Sequence, residues 1–201
     1  EEVFFESYMP LFVAILEIPA IIVGIILARG LSKQTHWGEL GREILLGKSI
    51  MLLLGGLVIG VLAGKEAVAP LEPLYTSMFP PVLALFLLEM GLIASRQMSA
   101  LRSVGLRLVF FALLMPWLGA GVGLMVGAGI GLSIGGTAML ATLGASASYI
   151  AVPAAMRLAL PEANPSLSLA ASLGITFPFN ILIGIPLYLQ AAQWLLTGAS
   201  S

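Results

Sequence analysis

Long apolar runs alternate along this chain with short polar stretches, and the runs are of the length that predicts membrane helices. Crossing the hydrocarbon core takes about 20 apolar residues in an α-helix. Six spans are predicted: A, Tyr8–Ala28; B, Ser49–Ala63; C, Pro80–Ser95; D, Val104–Val126; E, Gly136–Leu160; and F, Leu167–Leu196. Span F is too long for one perpendicular crossing, so a tilt or a kink at Pro178 or Pro186 is expected. Span E holds the irregular stretch "GASASYIAVPAAMR", Gly144–Arg157, in which small and hydroxyl residues and then a proline interrupt the apolar run.

That interruption predicts a broken helix. Pro153 cannot donate to a helix ladder, and it disfavours helix at Val152. A first half-helix is expected over about Gly136–Leu143, and a second is expected to begin near Ser148, with Ser146 and Ser148 as caps. The first would end in free carbonyls, which suit a cation such as sodium, and the second would begin with free N–H groups, which suit an anion. In lipid such a break is tolerated only where it faces protein, water or a ligand. Gly144, Ala145, Ser146, Ala147 and Ser148 are therefore candidate substrate-binding residues. Small residues also let transmembrane helices pack closely, and the two readings stand side by side at this point.

Polar residues deep in other spans add candidates. Glu17 lies near the middle of span A, where a charged side chain costs roughly 2.5–3.5 kcal/mol and marks a functional site by default. It can ligate sodium, carry a proton or make a structural hydrogen bond. Thr176 and Asn180, four apart in span F, share a helix face. Their oxygens are suitable sodium ligands, and a helix–helix hydrogen bond is the alternative. Glu17, Ser146, Ser148, Thr176 and Asn180 make up the candidate sodium set. Glu89 in span C lies closer to Arg96, so snorkelling or an ion pair is as good an explanation as function.

Charge sets an orientation. Glu1, Glu2 and Glu6 precede span A without a basic residue, whereas Arg29, Lys33, Arg42 and Lys48 follow it. Arg96, Arg102 and Arg107 follow span C, Arg157 lies at the end of span E, and the D–E loop is uncharged. The positive-inside rule then places both ends of the chain outside and the 29–48 loop, with its single His36, in the cytoplasm. The chain begins at Glu1 with no basic n-region, so no signal peptide is expected. One faint internal echo, "EIPAIIVGIIL" at Glu17–Leu27 against "TFPFNILIGIPL" at Thr176–Leu187, pairs spans of opposite direction, as inverted repeats do.

Composition narrows the class. Of 201 residues, 59% are hydrophobic and 9% charged, against about 25% charged in soluble domains. The net charge of −1 offers no basic face for nucleic acid. With one histidine and no cysteine or aspartate, the chain carries no HExxH, nucleotide loop or other catalytic set. An enzyme is not expected.

The pieces "LEIPAII", "LFLLEMGL", "GASASYIAVPAAMRLALPEANPS" and "ASLGITFPFNILIGIPLYL" resemble the sodium-dependent bicarbonate transporter family of cyanobacteria and other bacteria. The resemblance covers most of this chain and about the C-terminal 60% of a family member. It implies an all-α polytopic membrane fold with two inverted repeats of five helices and discontinuous crossing helices. Residues 1–28 would be the last helix of the first repeat, 29–48 a cytoplasmic loop, and 49–201 the second repeat. It further implies a plasma-membrane sodium symporter of bicarbonate working by alternating access, a trimer, and a soluble PII-like regulatory partner on the cytoplasmic face. The anion and sodium would bind where the broken helices cross, at Gly144–Ser148 with Glu17, Thr176 and Asn180 nearby. This chain has Ala-Ser-Ala-Ser-Tyr where better-known members have a serine-rich turn with an acidic residue, and Phe177, Phe179 and Asn180 where theirs are smaller. These departures leave the identity of the anion open. The competing expectations are a sodium- or proton-coupled carrier of another small organic or inorganic anion, a passive channel, and a membrane regulatory protein that transports nothing.

Overall fold

The structure, a computed structural model, describes residues 3–29, 38, 41–42, 46–101, 105–149, 152 and 159–198. All the secondary structure among them is helical. The chain runs through α1 (Met9–Arg29), α2 (Lys48–Val68), a 3-10 turn (Ala69–Leu71), α3 (Glu72–Tyr75), α4 (Phe79–Leu101), α5 (Leu106–Gly129) and α6 (Ile134–Ala145). After the break come α7 (Pro165–Ala171), a π-helical turn (Ser172–Thr176), α8 (Phe177–Phe179), a second π turn (Asn180–Gly184) and α9 (Ile185–Gly198).

Five helical runs are long and apolar enough to cross a membrane, against the six spans expected. Spans A to D become α1, α2, α4 and α5, and span F becomes the run Ser166–Gly198. Span E is the difference, because its helix stops at Ala145 after 12 residues. Such a helix is about 18 Å long, well short of a hydrocarbon core of about 30 Å. The helix in α2 is interrupted at Gly64, whose φ of 72° only a residue without a Cβ adopts cheaply.

Span F keeps its helix past both prolines, with a π turn on either side of Pro178. Phe177 N–H bonds the Ser172 carbonyl and Ile185 N–H bonds the Asn180 carbonyl, each five residues back. Pro178 sits between the two widened turns and needs no N–H there. The widening also sets the face. In a pure α-helix, residues four apart drift by about 40° per step. With two π turns in the run, Ser172, Thr176, Asn180, Gly184, Tyr188 and Ala192 all remain buried.

The tightest packing joins α5 to α6. Gly119, Gly123 and Gly127 lie one per turn along α5, and each meets α6 main chain. A Cβ on Gly119 would strike the Gly144 carbonyl, and one on Gly123 would lie 2.6 Å from the Leu140 carbonyl oxygen. One on Gly127 would lie 3.0 Å from Thr137 Cα. Between membrane helices, where lipid is as apolar as leucine, such close approach is a main source of attraction. The helix α9 closes this pair, with Tyr188 buried against Ala120, Ala141 and Ala145. By contrast, α2 presents Leu52 and Leu62 at 77% and 80% exposure.

Candidate functional site

The site forms where α6 ends. Its last turn leaves carbonyls without intrahelical partners, a serious cost in lipid. Ser146 satisfies two of them: its N–H bonds the Leu143 carbonyl at 3.1 Å and its hydroxyl donates to the Thr142 carbonyl at 2.7 Å. The Ala145 carbonyl accepts from Asn180 Nδ2 at 2.9 Å, and Asn180 Oδ1 in turn accepts from the Tyr188 hydroxyl at 2.9 Å. Gly184 makes room for that pair, since a Cβ there would lie 2.8 Å from Asn180 Oδ1. Ser146 thus closes the first half-helix and does not open the second. The backbone turns extended at Ser146, with φ −77° and ψ 150°.

Beyond Ser146 the chain stays irregular through Tyr149. Ser146 and Ala147 are exposed and Ser148 half-buried. The Ser148 hydroxyl oxygen accepts from Val152 N–H at 3.4 Å. The rest of the expected second half-helix, including Pro153 and Arg157, lies outside the described residues, as does His36. Gly144 and Ala145 are on the last turn of α6 and not in the break, one against Gly119 and the other buried.

Glu17 reaches this break from α1, its carboxyl hydrogen-bonded to the Ser148 side chain. The same carboxylate faces an open cleft of about 400 Å³ lined by Val13, Ile50, Leu52 and Leu53. Further along α1, Ile21 and Ile25 pack with Ile50, Val152 and Ala159. Helix α1 therefore flanks both the break and the chain beyond it. On the other side, the Tyr149 ring meets Phe177 edge-on at 6.5 Å between centroids.

Thr176 and Asn180 are placed differently from Glu17 and Ser148. Their polar atoms repair backbone. Pro116 in α5 has no N–H to give the carbonyl four residues back, that of Ala112. Thr176 Oγ1 donates to that carbonyl at 2.8 Å, in a buried contact. Asn180 performs the matching repair at Ala145. The structure thus brings Glu17 and Ser148 together and sets Thr176 and Asn180 to hold α5 and α6 against the π-helical run.

Three features were not anticipated from the sequence. The glycines of α5 carried a readable signal, their four-residue spacing. Tyr188 continues the spacing of Thr176 and Asn180 by two further turns. Glu6, counted only as one of three acidic residues before span A, hydrogen-bonds Ser133 at the start of α6.

Among the described residues no group of His, Cys, Asp or Glu is arranged to hold a metal. No curated protein matches the chain. A family model does, over residues 1–193, nearly the whole length. With five membrane-length helices among the described residues and a shorter apolar helix that ends at Ala145, the structure is consistent with that match. The chain belongs to the Na+-dependent bicarbonate transporter superfamily.

Proposed function

We propose that the protein is a sodium-driven symporter of a small anion, bicarbonate in the first place, working by alternating access. The observation that carries this reading is the contact of Glu17 with Ser148, just beyond the end of a half-helix too short to cross the membrane. A carboxylate is a good ligand for a hard cation. The second half-helix expected from the sequence would open with free amides, which suit a small planar anion. Sodium arriving first would offset the Glu17 charge and favour the anion beside it. In this reading Gly144–Ser148 form the anion side of the site, and Glu17, Ser146 and Ser148 the sodium side. Thr176 and Asn180 act at one remove, by fixing where α6 ends.

The family supports the remaining elements. Residues 1–28 would close a first five-helix repeat, and 49–201 would form the second, inverted one, with both ends of the chain outside. The coupled cycle would rock α1, α5, α6 and the π-helical run, which pack together, against the other helices.

The test is labelled bicarbonate uptake by the full-length protein in sealed liposomes, under an inward sodium gradient and with potassium replacing sodium. Uptake that needs sodium and is lost in folded Ser146→Leu is the expected result. Uptake indifferent to sodium would remove the coupling, and none under any gradient would remove bicarbonate.

A further inference from the structure

The outer end of α6 is held by a carboxylate from elsewhere in the chain. Ser133 N–H donates to Glu6 Oε1 at 2.6 Å, and the Ser133 hydroxyl lies 3.2 Å from both Glu6 Oε2 and the Phe4 carbonyl oxygen. The same hydroxyl oxygen accepts from Gly136 N–H at 3.0 Å, the N-cap bond of α6. Gly135 and Gly136 are what let the segment before α1 come this close. A Cβ on Gly136 would strike Glu6 Oε2, and one on Gly135 would strike the Phe4 carbonyl. Just below, Met9 is fully buried with Leu132 and Leu140. With Glu6 on Ser133 at one end and Glu17 on Ser148 at the other, α1 and α6 run side by side in the same direction.

We propose that Glu6 is an acid-releasable latch that fixes the outer end of α1 to α6 and so keeps Glu17 in register with Ser148. Its bonding is to the positive end of the α6 dipole and to the Ser133 hydroxyl. Among the described residues packed around it, α6 and Ile130–Ser133 carry no charged group. The titratable group nearest on its own segment is Tyr8, and Glu17 lies about three turns away. The charged Arg107 of α5 stands at that helix's opposite end, and α9 has no charged residue. Glu1 and Glu2 are outside the described residues. A proton on the Glu6 carboxyl would cancel its charge in place and weaken its hold on the Ser133 N–H.

The Ser133 backbone N–H holds the Glu6 carboxyl below its ordinary value of 4.5, against a smaller upward push from desolvation. A carboxylate lowered on folding stabilises the fold above its ordinary value, and that contribution is lost as pH falls through the lowered one. The latch therefore stays shut at neutral pH and in mild acid, and opens in stronger acid.

These 201 residues hold no cysteine, so spin labels at Phe5→Cys and Ile130→Cys, exposed by 48% and 57%, report this pair alone once any cysteine elsewhere in the full-length protein is replaced. In the full-length protein in liposomes, a narrow distance distribution is expected at pH 7. It should broaden on acidification with a midpoint below 4.5. Glu6→Ala should be broad at every pH. So should Gly136→Ala, which keeps the charge, excludes it sterically and improves helix propensity. A narrow distribution in either variant, or one that acid does not change, overturns the proposal. The role given to Glu17 register rests on the transport reading above, whereas the distances test the latch whatever is carried.

Discussion

Helices α2 and α5 carry the same sequence pattern and use it differently. Gly56, Gly60 and Gly64 lie four apart in α2, as Gly119, Gly123 and Gly127 do in α5. Each glycine of α5 lies against α6 main chain, whereas none of the three in α2 has a neighbour where its Cβ would be. Small residues at this spacing permit close approach but do not supply the partner. In α5 the partner is the short apolar helix α6, and its C-terminal end needs donors. Asn180, itself held by the Tyr188 hydroxyl, supplies one to the Ala145 carbonyl, so packing and polar repair meet at that end.

Substitutions at matched glycines would break this comparison most sharply. Gly119→Val drives a side chain into the Gly144 carbonyl and is expected to cost at least about 3 kcal/mol of stability in micelles. Gly60→Val should stay within about 0.5 kcal/mol. Equal losses, read by thermal unfolding, would mean that α2 is packed as tightly as α5.

The next effect is at Asn180. Asn180→Leu leaves both the Ala145 carbonyl and the Tyr188 hydroxyl buried without their partner, and about 2 kcal/mol should be lost. Tyr188→Phe removes one bond and should cost about half as much. The smallest effect sharpens the reading of Pro116. Thr176→Val should cost on the order of 1 kcal/mol. That loss should shrink in a Pro116→Ala background, where residue 116 regains the N–H that can serve the Ala112 carbonyl. An unchanged loss would detach Thr176 from the proline.

The helices themselves were legible in the sequence because lipid imposes one strong rule, that a spanning segment be apolar and about 20 residues long. The stop in α6 was legible for the same reason: Ser146 and Ser148 stand where a continuous span would hold leucines. Two features were not. Whether Thr176 and Asn180 serve an ion or a helix partner depends on which carbonyls lie opposite, and those belong to Ala112 and Ala145 on other helices. The π turns of span F were hidden because a proline in the sequence does not say whether the helix widens its turns around it. Glu17 could be picked out by depth alone, but its partner Ser148 is far away in the chain and only the fold joins them.

The central claim is that Glu17 and Ser148 act together in coupling. The most direct measurement is the sodium dependence of bicarbonate uptake in liposomes for the wild-type protein, Glu17→Gln, Ser148→Ala and the double variant, each with its thermal midpoint recorded. The account predicts that each single change raises the half-saturating sodium concentration tenfold or more with little change in midpoint, and that the double variant is no worse than the worse single one. A sodium dependence left unchanged by Glu17→Gln, in protein shown to be folded, would contradict it.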